Sequence, residues 1–403
     1  MTASTANVPL RSETGCSETE CSKTERPAPA KTPPERDLRA FGKALDELKR
    51  QTEAQVGEED LTRLKRLDAF SHACGALGRL LIHVSLEPVT FTAGVLALWI
   101  HKQLQATEVG HTVLHGAYDR IDGVPERYTS KRFRWKIPID EEAWREGHNG
   151  RHHGATNVAG RDPDIHFGTV RLTEQTPHRA IHDVQLPMTL LVLFPNFAWM
   201  MNMHFTGMLD VFHDNGLDSQ LDFLPDRSPA SKRRAFRRAF RKYGPYYVVE
   251  YVLFPALAGP MFWKVLLGNW LAETLRDVYS AATIFCGHVG EHVASYPVGA
   301  KAKNRGEWYA MQIEATNNYE VSEPVSVLCG GLDRQIEHHL FPRLSPARLR
   351  QVAPKVEALC NVHGVRYQSD TWGRTLAGAL RWIGKLSRQG PTRAARQAIA
   401  EAA

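Results

Sequence analysis

A chain of 403 residues, 43% of them hydrophobic, can bury a large core and is long enough for two domains. Lys and Arg number 50 against 44 Asp and Glu, a mildly basic balance whose distribution matters more than its sum. The six cysteines are dispersed without a CxxC pair, which excludes a disulfide scaffold and a zinc ribbon and suggests a reducing compartment; the N-terminus lacks the apolar stretch of a secretory signal.

Mean hydropathy is −0.35, a value typical of a soluble protein, but the average hides polar ends around an apolar middle. Residues 1–36 are rich in Ser, Thr, Glu and Pro and are expected to form a disordered tail, because they bury too little to offset chain entropy. Residues 37–70 carry apolar positions at helical spacing (Leu38, Phe41, Leu45, Leu48, then Leu61, Leu64, Leu67, Phe70) and predict an amphipathic, cytosol-facing helix or helix pair. From 73 to 107 the chain is apolar, and Glu87-Pro88 divides it into 73–87 and 89–107. Spanning a bilayer takes roughly 20 apolar residues, so each piece is marginal as a span. Residues 184–209 are apolar around Pro195-Asn196, predicting either a kinked span or a helix lying in the interface.

Residues 227–242 contain eight Lys or Arg and no acid, with Phe236 and Phe240 at i, i+4. That pattern suits a helix on an anionic cytosolic membrane surface, against the plainer reading of a solvated charged helix. Residues 246–289 are the best membrane candidate, as two spans or a hairpin. Their charges (Glu250, Lys264, Glu273, Arg276, Asp277) are expected to face the bundle interior. Residues 346–386 read as amphipathic helix, and a basic tail over 376–403 carries Trp382 toward lipid headgroups. The expected fold is all-α: an integral-membrane bundle of about four embedded helices with a cytosolic helical cap, spanning 37–375 between the two tails.

Nine of the 18 histidines fall in four short clusters, the strongest signal in the chain. They are His111 and His115; His148, His152 and His153; His288 and His292; and His338 and His339, with Gln335 three residues ahead. On a helix i and i+4 share a face and i+5 lies beside it, so imidazoles from one segment can converge. Imidazole is a good ligand for Zn, Cu and Fe. Each cluster follows an apolar segment, which predicts that all meet at one membrane–cytosol boundary around metal. A carboxylate di-iron site of the ferritin type needs two Glu-x-x-His motifs. Glu108 to His111 is one, and a second is missing from the sequence.

HTVLH, HNGRHH and QIEHH, in this order with apolar segments between, resemble the three histidine boxes of integral-membrane fatty acid desaturases. The resemblance covers roughly residues 70–365 and extends to TNVAGRDPD, FCGHVGE, RGEWYAMQ and GGLDRQIEHHLFPRL, which resemble the acyl-CoA and acyl-lipid branch. It implies a non-haem di-iron centre in the cap that uses O₂ to remove two hydrogens from adjacent methylenes of an acyl chain. The implied ligands are His111, His115, His148, His152, His153, His288, His338 and His339, with His292 as a substitute for His288. Gln335 stands where another branch has histidine, and either binds iron, acts through water or orients the pair. Asp162 and Asp164 match the family's DPD as acceptors for imidazole N–H groups; Asn317 and Trp308 are further candidates for that outer layer.

The sequence has neither an HPGG haem motif nor a GxGxxG fingerprint, so electrons are expected from a separate ferredoxin or cytochrome b5-like donor with its reductase. The expected substrate is an acyl group on CoA, carrier protein or glycerolipid, and the other expected partners are membrane lipids, not nucleic acid. Two rivals stand beside this reading. A lipid hydroxylase would use the same oxygen activation to a different end. A metal- or nucleic-acid-binding non-enzyme would use the basic run, and would leave the nine clustered histidines unexplained.

Overall fold

Apolar periodicity over most of the chain leads to helix. The computed structural model describes residues 38–166, 170–212 and 221–388, and it is mostly helical with almost no sheet. The chain divides into Met1–Pro34, which lies outside the described residues together with the expected disordered tail, and Glu35–Ala403, to which everything below belongs.

The expected amphipathic pair forms as helices Leu38–Glu53 and Glu58–Val84. The second of these runs through the first apolar piece without interruption. The break falls at Glu87-Pro88: the Glu87 carboxylate accepts the N–H groups of Val89 and Thr90 at 2.6 Å each, and Pro88 starts helix Pro88–Leu104. The two helices pack closely because glycines let their backbones meet. A Cβ on Gly78 would lie 2.5 Å from Leu98 N, and one on Gly94 2.8 Å from Ile82 N.

A helical run, Ala180–Phe205, is the one stretch among the described residues long and apolar enough to cross a membrane by length and composition. Helix Phe262–His288 is longer, but Lys264, Glu273, Arg276 and Asp277 interrupt its apolar character. As the sequence predicts, these charges are buried and paired. Lys102 Nζ lies 3.0 Å from Glu250 and 2.9 Å from Glu273; Arg79 meets Glu250 at 2.6 Å, and Arg276 meets Glu273 and Asp277 at 2.5 and 3.0 Å. Lys264 donates to the carbonyls of His83 and Ser85.

The polar third of the chain forms helices Arg305–Glu314, Gln335–Leu340 and Pro346–His363, with a short parallel pairing of Asn318–Glu320 and Ser369–Thr371. The proposed tail boundary at 375/376 falls inside helix Trp372–Leu386. Ala379, Trp382, Ile383 and Leu386 recur at helical spacing and are buried, and Trp382 Nε1 donates to Leu172 O at 3.0 Å. Apolar periodicity thus places Trp382 in the core rather than at a lipid headgroup. Residues 389–403 of that tail lie outside the described residues.

Candidate metal centre

Two of the histidine clusters sit on π-helical turns rather than on plain α-helix. Gln105–His111 is a π-turn continued by Thr112–Leu114, and Arg145–His152 is another. Such wide turns recur at functional sites because they re-aim side chains. In the second, the extra residue brings i and i+5 together: His153 N donates to His148 O at 3.1 Å, and the two Nε2 atoms lie 3.2 Å apart. His288 is the last residue of helix Phe262–His288, while His338 and His339 lie on the six-residue helix Gln335–Leu340. That short helix is tied down by Asn318, whose Oδ1 accepts Ile336 N and whose Nδ2 donates to Glu337.

Eight of the nine clustered histidines meet. His111, His115, His148 and His338 offer ligand atoms all within 4.8 Å of one another; so do His152, His288 and His339, and a third overlapping set is His148, His152 and Asp164. His153 lies between the first two groups. Its ring stacks on His339 at 4.2 Å and approaches His115 at 4.7 Å and His338 at 4.9 Å. His292 does not join them: it is exposed in the turn that follows the helix.

The donor set fits metal. Nε2 atoms approach in pairs at 3.2 Å in His111–His115, His148–His153 and His288–His339. Five further ring nitrogens (His111 Nδ1, His152 Nε2, His153 Nδ1, His288 Nδ1, His338 Nε2) are buried without a hydrogen-bond partner among the described residues. Buried polar atoms are normally satisfied, and a cluster of orphaned imidazole nitrogens is what a cation would complete. Burial, reinforced by neighbouring imidazoles, holds His111, His115, His153, His338 and His339 well below the ordinary histidine range, so they are neutral as ligands must be.

His152 is the exception. Burial pulls it down, but Asp162 and Asp164 together outweigh that and raise it to about 9. Both Asp162 oxygens lie 3.0 Å from His152 Nδ1, which leaves Nε2 to face the cluster. Asp162 also accepts Asn157 N and Asp164 N, and it is fully buried. Asp164 lies 3.5 Å from His148 Nδ1. Gln335 Nε2 lies 2.7 Å from His288 Nε2, so this side chain contacts an imidazole directly. Asn317 contacts the backbone instead: its N donates to Gly287 O at 2.8 Å, steadying the end of the helix that carries His288. Trp308 stacks under Arg305, packed among the residues around Phe41 and Tyr309.

Several contributors escaped the sequence reading. Thr156 Oγ1 and Gln312 Oε1 lie 3.0 and 3.2 Å from His339 Nδ1 and 2.8 Å from each other. Asn157 adopts a left-handed backbone (φ 55°), a conformation Asn tolerates. Its Nδ2 donates to the carbonyls of Ala294 and Ala315. The TNVAGRDPD and RGEWYAMQ stretches held the signal for all three, without indicating which residue of each reaches an imidazole.

An apolar cavity opens against these groups, with His111, His148, His152, His288 and Gln335 in its wall. Residues 88–371 match the family model for fatty acid desaturases. A NADPH-dependent stearoyl-CoA 9-desaturase of Mycobacterium tuberculosis is 28% identical, over 87% of this chain and 80% of its own length. A sn-1 linoleoyl-lipid 6-desaturase of Synechocystis is 26% identical over 74% and 82%, and a Δ8-fatty-acid desaturase of Euglena gracilis 24% over 77% and 75%. Eight converging imidazoles against an apolar cavity, and a family match across most of the chain, lead to one statement: this chain belongs to the fatty acid desaturase family and is an oxidoreductase of that class.

Proposed function

We propose that the chain inserts a cis double bond into a fatty acyl chain, using O₂ and two iron ions held by His111, His115, His148, His152, His153, His288, His338 and His339. One observation carries this: His111 and His148 from one imidazole group, and His152 and His288 from the other, line the same apolar cavity. Gln335 orients His288 or completes its ion, and His292 plays no part. Bound iron supplies the activation of O₂, by which two hydrogens leave adjacent methylenes and, with two electrons and two protons, O₂ becomes water.

The protein's own contribution is position and dryness. Ile137, Leu193, Phe197, Phe205, Ile284 and Leu332 line the cavity and exclude water from an acyl chain beside the imidazoles. Asp162 fixes the His152 tautomer so that Nε2 faces the metal, and Thr156 with Gln312 does the same for His339.

The proposed setting is the membrane, with about four embedded helices. Large apolar side chains are exposed on helices Glu58–Val84, Pro88–Leu104 and Phe262–His288 and in the turns beside them: Leu80, Val84 and Leu86, Val89, and Leu257, Trp263 and Trp270. Soluble surfaces rarely carry so much contiguous apolar area. The exposed Arg233, Arg234 and Arg237 precede the exposed Val248, Val249, Val252 and Leu253 in one helical run, which supports a cytosolic orientation of the centre. The relatives are named for acyl-CoA and acyl-lipid substrates, and one for NADPH dependence. We therefore assign CoA- or glycerolipid-linked acyl chains as substrate, and a separate ferredoxin or cytochrome b5-like donor as the source of electrons. Expression in a host lacking desaturases, followed by fatty-acid analysis, tests this. A new double bond is expected; a hydroxyl product, or an unchanged profile with iron and donor supplied, overturns it.

A further inference from the structure

One part of the cavity wall is polar where the rest is apolar. Helix Phe262–His288 presents Arg276, Ser280, Ile284 and His288 to the cavity, four residues apart each time. Each four-residue step advances about 6 Å and drifts only about 40° around the helix, so these lining residues follow it for some three turns, about 18 Å from His288 to Arg276. His288 lies among the imidazoles, and Arg276 lines the cavity three turns away along the same helix.

Arg276 is 1% exposed, and Nη2 alone is engaged, by Glu273 and Asp277. Its Nε and Nη1 are buried and donate to no group among the described residues. Asp277 is fixed from the other side, where it accepts Ala198 N at 3.1 Å, and Ser280 Oγ donates to Gln103. The surrounding charges balance. Arg79, Lys102 and Arg276 face Glu250, Glu273 and Asp277, three of each sign, so no surplus charge calls for an anion. What the site lacks is a neutral hydrogen-bond acceptor.

Resting on the acyl-chain reading above, we propose that Arg276 forms a polar subsite for a neutral oxygen function at the distal end of the substrate chain. A hydroxyl, ether or carbonyl oxygen satisfies the guanidinium N–H groups there. A plain methyl end stops short of the donors, which then keep water. The subsite thus selects chains oxygenated at the end remote from the reacting carbons.

The test uses the purified, iron-loaded protein with stearoyl-CoA and its terminally hydroxylated counterpart, extended to a series of longer and shorter chains. Competition binding and turnover are read separately. At the best-fitting length the hydroxyl is expected to raise affinity about tenfold, the effect of one buried donor gaining its acceptor. A closed apolar end would instead lower affinity about tenfold or more, through burial of an unpaired hydroxyl. The paired exchange Arg276→Met with Asp277→Asn removes one charge of each sign and keeps an acceptor for Ala198 N–H; it is expected to invert the preference. Equal or weaker binding of the hydroxylated chain at every length overturns the proposal, whether or not the double variant folds. Product analysis of the same incubations reports independently whether any chain is desaturated.

Discussion

Asp162 gives the sharpest test of the metal centre, because one carboxylate does three jobs. It accepts His152 Nδ1 at 3.0 Å, Asn157 N at 2.8 Å through Oδ2, and Asp164 N at 2.9 Å through Oδ1. Replacing it with Ala would strand three buried donors at about 1–3 kcal/mol each, comparable with the whole stability of a domain, so loss of folding would be uninformative. Asp162→Asn is the useful change. Its amide keeps the shape, but in either orientation its NH₂ faces one of the two backbone N–H groups, stranding one donor at about 1–3 kcal/mol. It also removes the charge that strengthens His152 as a ligand. Loss of such an outer partner costs roughly 10–100-fold in metal affinity. The expected variant is folded, binds iron about 10–100-fold more weakly under chelator competition, and regains part of its activity with excess Fe(II). Iron retention equal to wild type in a folded Asp162→Asn protein would refute the role given to Asp162.

Other outcomes follow from the same geometry. His152→Ala and His339→Ala should each abolish turnover and lower bound iron, measured by metal analysis, whereas His292→Ala should leave both near wild type because that side chain is exposed outside the cluster. Gly110→Ala should destabilise the first π-turn by several kcal/mol: the new Cβ would lie 2.0 Å from Trp135 Nε1, whose N–H donates to Gln105 O, and the melting temperature should fall together with iron content. Metal-free protein should lose stability as pH drops below about 6.5. Unfolded histidines take up protons there, while the buried His111, His115, His153, His338 and His339 stay neutral. His152, raised to about 9, and Glu108 and Glu337, each raised to about 7 by burial, have the opposite sign, adding stability at low pH that is lost as pH rises through those values, but they are three groups against five. A melting temperature of the metal-free protein that rises on acidification from pH 7 to 5.5 would contradict this.

The alternation of apolar segments and histidine clusters pointed to a metal site without any coordinates, and the family resemblance carried by those clusters pointed to its chemistry. Residue type and short spacing are local facts, and His111, His115, His148, His152, His153, His288, His338 and His339 all gather as the spacing implied. The Glu87-Pro88 break was equally legible, since a cap and a fixed φ act within one turn. What the spacing could not reveal is the π-helical turn beneath the first two clusters, because an inserted residue depends on what the turn packs against. Nor could it separate His288 from His292, which share a motif until the helix ends at one and exposes the other. Thr156, Gln312 and Asn157 reach their partners across 27 to 183 residues of chain, and no local pattern encodes such distances. The charges of helix Phe262–His288 show the division best. Sequence turned Arg276 and Asp277 toward the bundle interior, but only the packed bundle decided that, among the described residues, Arg276 would keep two donor nitrogens unpaired beside an apolar cavity, since long-range packing alone fixes which face of a buried charge is met.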